Sequence, residues 1–284
     1  MKSKILFALI LSGGVVMAAC NNDKDVATDK TEETLSETVE LQDEMDAYQS
    51  FAIEQMDQFL IETEKFVMAV KNGEIEEAKA IYPKARMYFE RSEPIAESFG
   101  DLDPRIDARL ADLEEEGQGK EDWSGYHKIE YGLWVENTTA GYEETADQLL
   151  KDAKELRARV ETVEVTPDLM ITGAVDLLNE VSTSKITGEE EIYSHTDLYD
   201  FKANVEGAEK IFEILKEQIK LKEATLVETL TVKFADLNSL LAKHEDGNGN
   251  YISYEQLTKE DTKALAEAVN QLGEPLSQMG IIME

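Results

Sequence analysis

Beyond residue 40, nearly every segment of this chain repeats its apolar residues at helical spacing, which leaves little room for anything but an all-α fold. Ile53, Met56, Leu60, Val67 and Val70 mark one face of a first long helix that Asn72-Gly73 stops. Ala78, Tyr82, Ala85 and Phe89 form the inner stripe of a second, beginning near Glu74. Only five prolines and 16 glycines occur in 284 residues, so little punctuates these runs. No segment alternates well enough to be read as a strand.

The prolines that do occur sit where helices should end or begin. Pro94 predicts a break near Ser92. Asp103-Pro104 has the form of a helix start with Asp as cap, and Thr166-Pro167 opens another helix running to about Ser182. Residues 143–162 are strongly amphipathic, with Leu149, Leu150, Leu156 and Val160 on one side. The stretch TSKITGEEEIY, Thr183 to Tyr193, is the longest interruption in mid-chain. Ser194 is placed to cap a long helix from 195 to about 221, and two more helices fill 223–244 and 258–278. About eight long helices exceed one four-helix bundle. The expected architecture is all-α, two bundles in tandem within residues 43–284, meeting near the middle of the chain.

The N-terminus carries different information. Lys2 and Lys4 precede an apolar run, Ile5 to Val16, that is too short to span a bilayer comfortably and has the length of an export signal. It ends in Met17-Ala18-Ala19-Cys20. Small residues before a cysteine resemble the bacterial lipobox, and Cys20 is the only cysteine in the chain. Residues 1–19 are therefore expected to be a lipoprotein signal peptide and Cys20 the lipidated residue. Two acyl chains anchor stably where one binds marginally. Residues 20–42 are polar and acidic and read as a tether. The expected location is the outer face of a bacterial cell membrane.

The formal charge of −33 works against nucleic acid and bare anionic lipid as partners, and favours cations. Charge alone does not make a binding site. The sharper signal is GYHKIEYGLW, Gly125 to Trp134. Residues three apart on a helix are neighbours, so His127 and Glu130 can offer an imidazole nitrogen and a carboxylate to one ion. Glu90 and Glu93 are also three apart, and the stripe Tyr82, Ala85, Phe89 continues onto Glu93. A carboxylate on a buried stripe needs a cation. Either Arg86, one turn before Glu90, supplies it as a salt bridge, or these carboxylates face His127 and Glu130 around an ion. One imidazole among carboxylates suits iron, manganese or zinc better than copper(I). A possible second cluster lies in GEEEIYSHTDLYDF, where Glu189, Glu190, His195 and Asp197 surround a loop and a helix start. Helix capping explains Asp197 equally well.

Two other motifs fail on their own chemistry. His244 to Leu257 resembles a calcium loop through Asp246, Asn248 and Asn250, but Tyr251 stands where glycine is needed and Leu257 where a bidentate glutamate is needed. A zinc peptidase of the HExxH type requires a second histidine one turn on. Here Lys128 follows His127, and position 131 is Tyr131.

Several longer stretches together carry a resemblance: FVMAVKNGEIEEAKAIYPKARMYFERSEPIAE, DLDPRIDAR, GYHKIE, STSKITGEEEIYSHTDLYDFKANVEGAEKI, YISYEQLT and VNQLGEPLSQ. The chain resembles the imelysin-like family over roughly residues 45–284, and within it the EfeO/EfeM-type lipoproteins of the Efe iron-uptake system. That resemblance implies a helical double bundle with a metal site around the HxxE motif. The family's acidic residues match Glu90, Glu93, Asp107 and Glu189. It implies extracytoplasmic capture of ferrous or ferric iron for a membrane permease, with a haem peroxidase as companion and no peptidase activity. With only a short acidic tether before the helices, the chain is expected to resemble the shorter form without the N-terminal cupredoxin domain of many such proteins. A cation-dependent binder of acidic polysaccharide, or a structural surface lipoprotein, is the alternative.

Overall fold

The computed structural model describes residues 41–283. The export signal, Cys20 and most of the tether lie outside the described residues. Those described contain eleven α-helices and no strand beyond an isolated bridge between Glu245 and Tyr251. In chain order these are α1 (Gln42–Asn72), α2 (Ile75–Glu90), α3 (Glu93–Ala96), α4 (Asp103–Asp107), α5 (Leu110–Glu115), α6 (Gly125–Trp134), α7 (Glu143–Val160), α8 (Pro167–Thr183), α9 (Asp197–Lys222), α10 (Ala224–Leu241) and α11 (Lys259–Met283).

Packing sorts the principal helices into two sets of four. In the first, α1 packs along α2 and α7, and the shorter α6 lies against α2 and α7. In the second, α8 packs on α9 and α11, and α10 completes the set against both. The sets meet where α9 crosses α2 and where α3 touches α8. One continuous hydrophobic core runs through both, from Tyr48 and Phe59 to Leu272 and Met279.

Local sequence accounts for most helix ends. Gly73, at φ +78°, closes α1 in the left-handed conformation, and Glu74 N–H returns to Ala69 O at 2.9 Å. The break before Pro94 falls at residues 91–92, as expected. Thr166 Oγ1 accepts from Leu169 N–H at 3.1 Å and caps α8. Three expectations need correction. The buried face of α1 is Tyr48, Ala52, Met56, Phe59, Phe66, Val67 and Val70, so Ile53 and Leu60 lie on its flank: the aromatic rings take the centre. Asp103 is the first residue of α4 and makes no capping bond. Ser194 does not cap α9, which starts at Asp197, because the Ser194 hydroxyl is bonded to Glu191 Oε2 (2.8 Å) and Thr196 (2.9 Å).

Candidate metal centre

The residues around His127 are brought together by one close backbone approach. Gly125 begins α6 at φ +80°, and a Cβ there would lie 2.2 Å from Ile106 O. The neighbouring side chains fasten the same junction: Trp123 Nε1 donates to Ala108 O (2.7 Å) and Ser124 Oγ to Arg105 O (2.9 Å). The end of α4 is thereby pinned to the start of α6, which sets Asp107 beside His127, with His127 Nε2 3.7 Å from Asp107 Oδ1.

His127 is buried, and its two ring nitrogens meet different surroundings. Nδ1 lies 3.1 Å from Glu130 Oε2 and 3.4 Å from the Tyr82 hydroxyl. Nε2 is buried and has no hydrogen-bond partner. Glu130 is in turn fixed through its other oxygen, which accepts from Tyr193 N–H (3.1 Å) and Ser194 N–H (2.7 Å). A carboxylate on Nδ1 selects the tautomer whose lone pair is on Nε2, the usual preparation of a metal-ligating histidine. Burial and the Arg86 charge depress the His127 pKa. The bond to Glu130 and the charges of Glu191 and Asp107 outweigh them and raise it to about 9. An ion arriving at Nε2 therefore has a proton to displace.

Two sets of donors lie close enough to share an ion. Asp107, His127 and Glu190 offer ligand atoms within 4.8 Å of one another, as do His127, Glu130 and Glu191. In the second set the Glu130 carboxylate is occupied by His127 and two backbone amides. Glu191 is 2.7 Å from Arg86 Nε and also accepts from Tyr82 OH (3.2 Å) and Ser194 Oγ. The first set contains the unpaired Nε2 and two carboxylates that still reach solvent, Asp107 at 10% and Glu190 at 11% side-chain exposure. That donor set fits a divalent cation better.

Glu90 and Glu93 do not reach His127. Glu90 is fully buried between Arg86 Nη2 and Lys185 Nζ, each at 2.7 Å, and accepts from Asn204 Nδ2 at 3.1 Å. Burial acts to raise its pKa, but Lys185 and Arg86 prevail and hold it low. The salt-bridge alternative of the sequence thus describes Glu90. Glu93 borders Lys185 at 3.7 Å and faces a cleft; burial drives its carboxyl well up. Arg86 is the hub of this layer, paired with Glu90, Asp107, Glu191 and, at 3.5 Å, Asp200.

The loop before α9 distributes its acids unevenly. Glu189 is exposed, Glu190 is half-buried, and Glu191 is fully buried. Burial and the nearby Glu130 charge raise the Glu191 pKa to about 8, against Arg86 and His127. Asp197 is buried and accepts from Glu191 N–H at 3.1 Å, so it shapes the loop. The His195 side chain stands away from the centre, its Nε2 3.8 Å from Glu255, and its backbone turns at φ +57°. Sequence reasoning passed over Glu191, Lys185, Asp200 and Asn204. Asp197, Asp200 and Asn204 lie at helical spacing with Phe201, Ala208 and Ile211, so polar residues on a core stripe were there to be seen. The calcium-like loop satisfies itself: Asp246 accepts from Asn250 Nδ2 (2.9 Å), Asn248 N–H (2.7 Å) and Asn250 N–H (3.2 Å), and those bonds, the Asn250 side chain's first, hold its pKa down at about 2.

Two clefts converge on the centre. One, about 260 Å³, is lined by Glu93, Asp103, Asp107, Asp112, Glu180 and Glu190. The other, about 240 Å³, has Trp123, Leu110, Ile192 and Tyr193 as walls and reaches His127 and Glu130. No helix among the described residues is long and apolar enough to cross a membrane.

Comparison with known proteins addresses the family of the chain. The family model described as imelysin (Peptidase_M75) matches residues 44–279. An "Efem/EfeO family lipoprotein" of Staphylococcus aureus (strain NCTC 8325 / PS 47) is 57% identical over 249 residues, 86% of each chain. One of the same description from Staphylococcus haemolyticus (strain JCSC1435) is 52% identical over 291 residues, covering 99% of this chain and 100% of that one. With its whole helical body matched in this way, the chain belongs to the imelysin family and is a protein of the EfeM/EfeO type.

Proposed function

We propose that this protein is the lipid-anchored, extracytoplasmic iron-binding component of an Efe-type uptake system. It takes an iron ion at the centre formed by His127 Nε2, Asp107 and Glu190 and delivers it to a membrane permease, with a haem peroxidase in the same system. Membership of the EfeM/EfeO type supports the system, and the lipobox at Cys20 supports the anchor. The observation that carries the site is the buried, unpartnered His127 Nε2, with a carboxylate fixing its other nitrogen and two partly exposed carboxylates beside it. Such a nitrogen costs free energy unless something binds it. Glu130 is a positioning residue in this reading and not a ligand. Zinc and manganese compete for the same donors, since affinity alone ranks metals without regard to biology. The protein acts as a carrier and not a peptidase; the HExxH base and second histidine are not in its α6 sequence.

Calorimetric titration of the full-length protein in detergent tests this, with ferrous iron under anoxia, zinc and manganese. Saturable binding is expected in the wild type, and a loss of about 100-fold or more in His127→Ala, the only nitrogen ligand having gone. Equal binding by the two proteins would overturn the site.

A further inference from the structure

Between the two clefts stands a single cation. Arg109 follows α4 by two residues, lines both clefts, and is a quarter exposed. Its guanidinium is held by Asp112 through two bonds, Nη2 to Oδ1 at 2.7 Å and Nε to Oδ2 at 2.8 Å. The remaining nitrogen, Nη1, points the other way, to Glu190 Oε2 at 3.3 Å and Glu189 O at 3.5 Å. Arg109 is the only side-chain partner of Glu190 among the described residues. Glu190 is one of the three groups placed to hold the ion.

We propose that Arg109 is a tethered competitor of the cargo. It neutralises Glu190 when the centre is empty and loses that partner when a divalent cation arrives. This inference rests on the His127 centre proposed above. A guanidinium and a divalent ion on one carboxylate repel each other across a few ångströms of partly desolvated space, so loading favours withdrawal of Nη1. Withdrawal moves the pair as a unit: the guanidinium is planar, so with Nε and Nη2 held by Asp112, Nη1 leaves Glu190 as the whole fork swings, and Asp112 keeps the charge paired throughout. The same geometry favours unloading: the displaced cation stays beside the site at high effective concentration and returns to Glu190 as the ion leaves. A carrier gains from this, since a competitor held beside the site speeds release of the ion.

The proposal predicts that removing the Arg109 charge beside the centre tightens binding. With manganese(II) as probe, followed by its EPR signal and by stopped-flow dissociation into EDTA, full-length Arg109→Gln should bind about two- to fivefold more tightly, the range of a partly exposed ion pair. The gain should appear mainly as slower dissociation. Arg109→Lys keeps the charge and should stay near the wild type. Asp112→Asn leaves the guanidinium to Glu190 and should weaken binding, and that weakening should shrink when Arg109→Gln is also present. Weaker or unchanged binding in Arg109→Gln would overturn the proposal and make Arg109 a support for Glu190. His127→Ala in the Arg109→Gln background separates the two readings. Binding that survives there lies elsewhere and refutes the centre itself, whereas its loss, with no tightening from Arg109→Gln, refutes only the competitor.

Discussion

The pair α10–α11 and the seam between α2, α6 and the start of α9 bury opposite kinds of side chain. On α10 and α11 the buried residues are all apolar, from Leu226, Leu230 and Phe234 to Leu272 and Met279. The seam buries Arg86, Glu90, His127, Glu130, Glu191, Asp200 and Asn204. The apolar pair gains free energy simply by excluding water. The seam must match each charge with another, and it leaves His127 Nε2 and both Asp200 oxygens without a hydrogen bond. The contrast teaches where this fold stores stability and where it gives some up.

Substitutions in the two regions should cost similar amounts and respond differently to pH. Phe234→Ala removes a ring stacked 5.7 Å from Phe212 and should cost about 3–5 kcal/mol. Arg86→Met should cost about as much, because it strands buried carboxylates. Denaturant unfolding at pH 7 and pH 5 distinguishes them. The Phe234 loss should stay constant, and the Arg86 loss should shrink at pH 5 as the stranded groups take up protons. Equal pH responses would break the comparison.

Glu130→Gln comes next. Its amide can donate to Nδ1, forcing the His127 proton onto Nε2 and blocking the ligand position. Metal affinity should fall about 10- to 100-fold, with little change in the circular dichroism spectrum. An unchanged affinity would mean that Nε2 is not the donor.

The seam should also titrate. His127 keeps its proton up to about 9 in the metal-free protein, against an ordinary value of 6.5. Its contribution to stability is therefore complete below about 6.5 and is lost as the pH rises through about 9. Metal affinity should run the other way, rising over that window, with about one proton released per ion. Calorimetry in two buffers of different ionisation enthalpy measures that proton. The smallest effect belongs to the surface: Lys71→Ala, which breaks the exposed pair with Asp147, should change stability by about 0.5 kcal/mol or less.

Helical spacing made the helices and most of their ends legible, because periodicity, Asn72-Gly73, Pro94 and Thr166-Pro167 all act locally. The site was legible where it too is local: His127 and Glu130 share one turn of α6, and Arg86 precedes Glu90 by four. What spacing could not reveal depends on partners far along the chain. Glu189, Glu190 and Glu191 are three identical residues in a row, and only the course of their loop separates an exposed one from a buried one. That course is set by Tyr193 and Ser194 amides bonding to Glu130, and by Tyr254 N–H bonding to His195 O at 2.9 Å. Lys185 reaches Glu90 from 95 positions away. Ser194 failed as a cap for the same reason, since its hydroxyl turns to Glu191.

The central claim is that the ion binds His127 through Nε2, on the side of Asp107 and Glu190. Anomalous diffraction from crystals of the manganese- or zinc-loaded protein tests it most directly. The account predicts a peak about 2.1 Å from Nε2 with Asp107 and Glu190 carboxylates around it. A peak on the Nδ1 side, between Glu130 and Glu191, would contradict it.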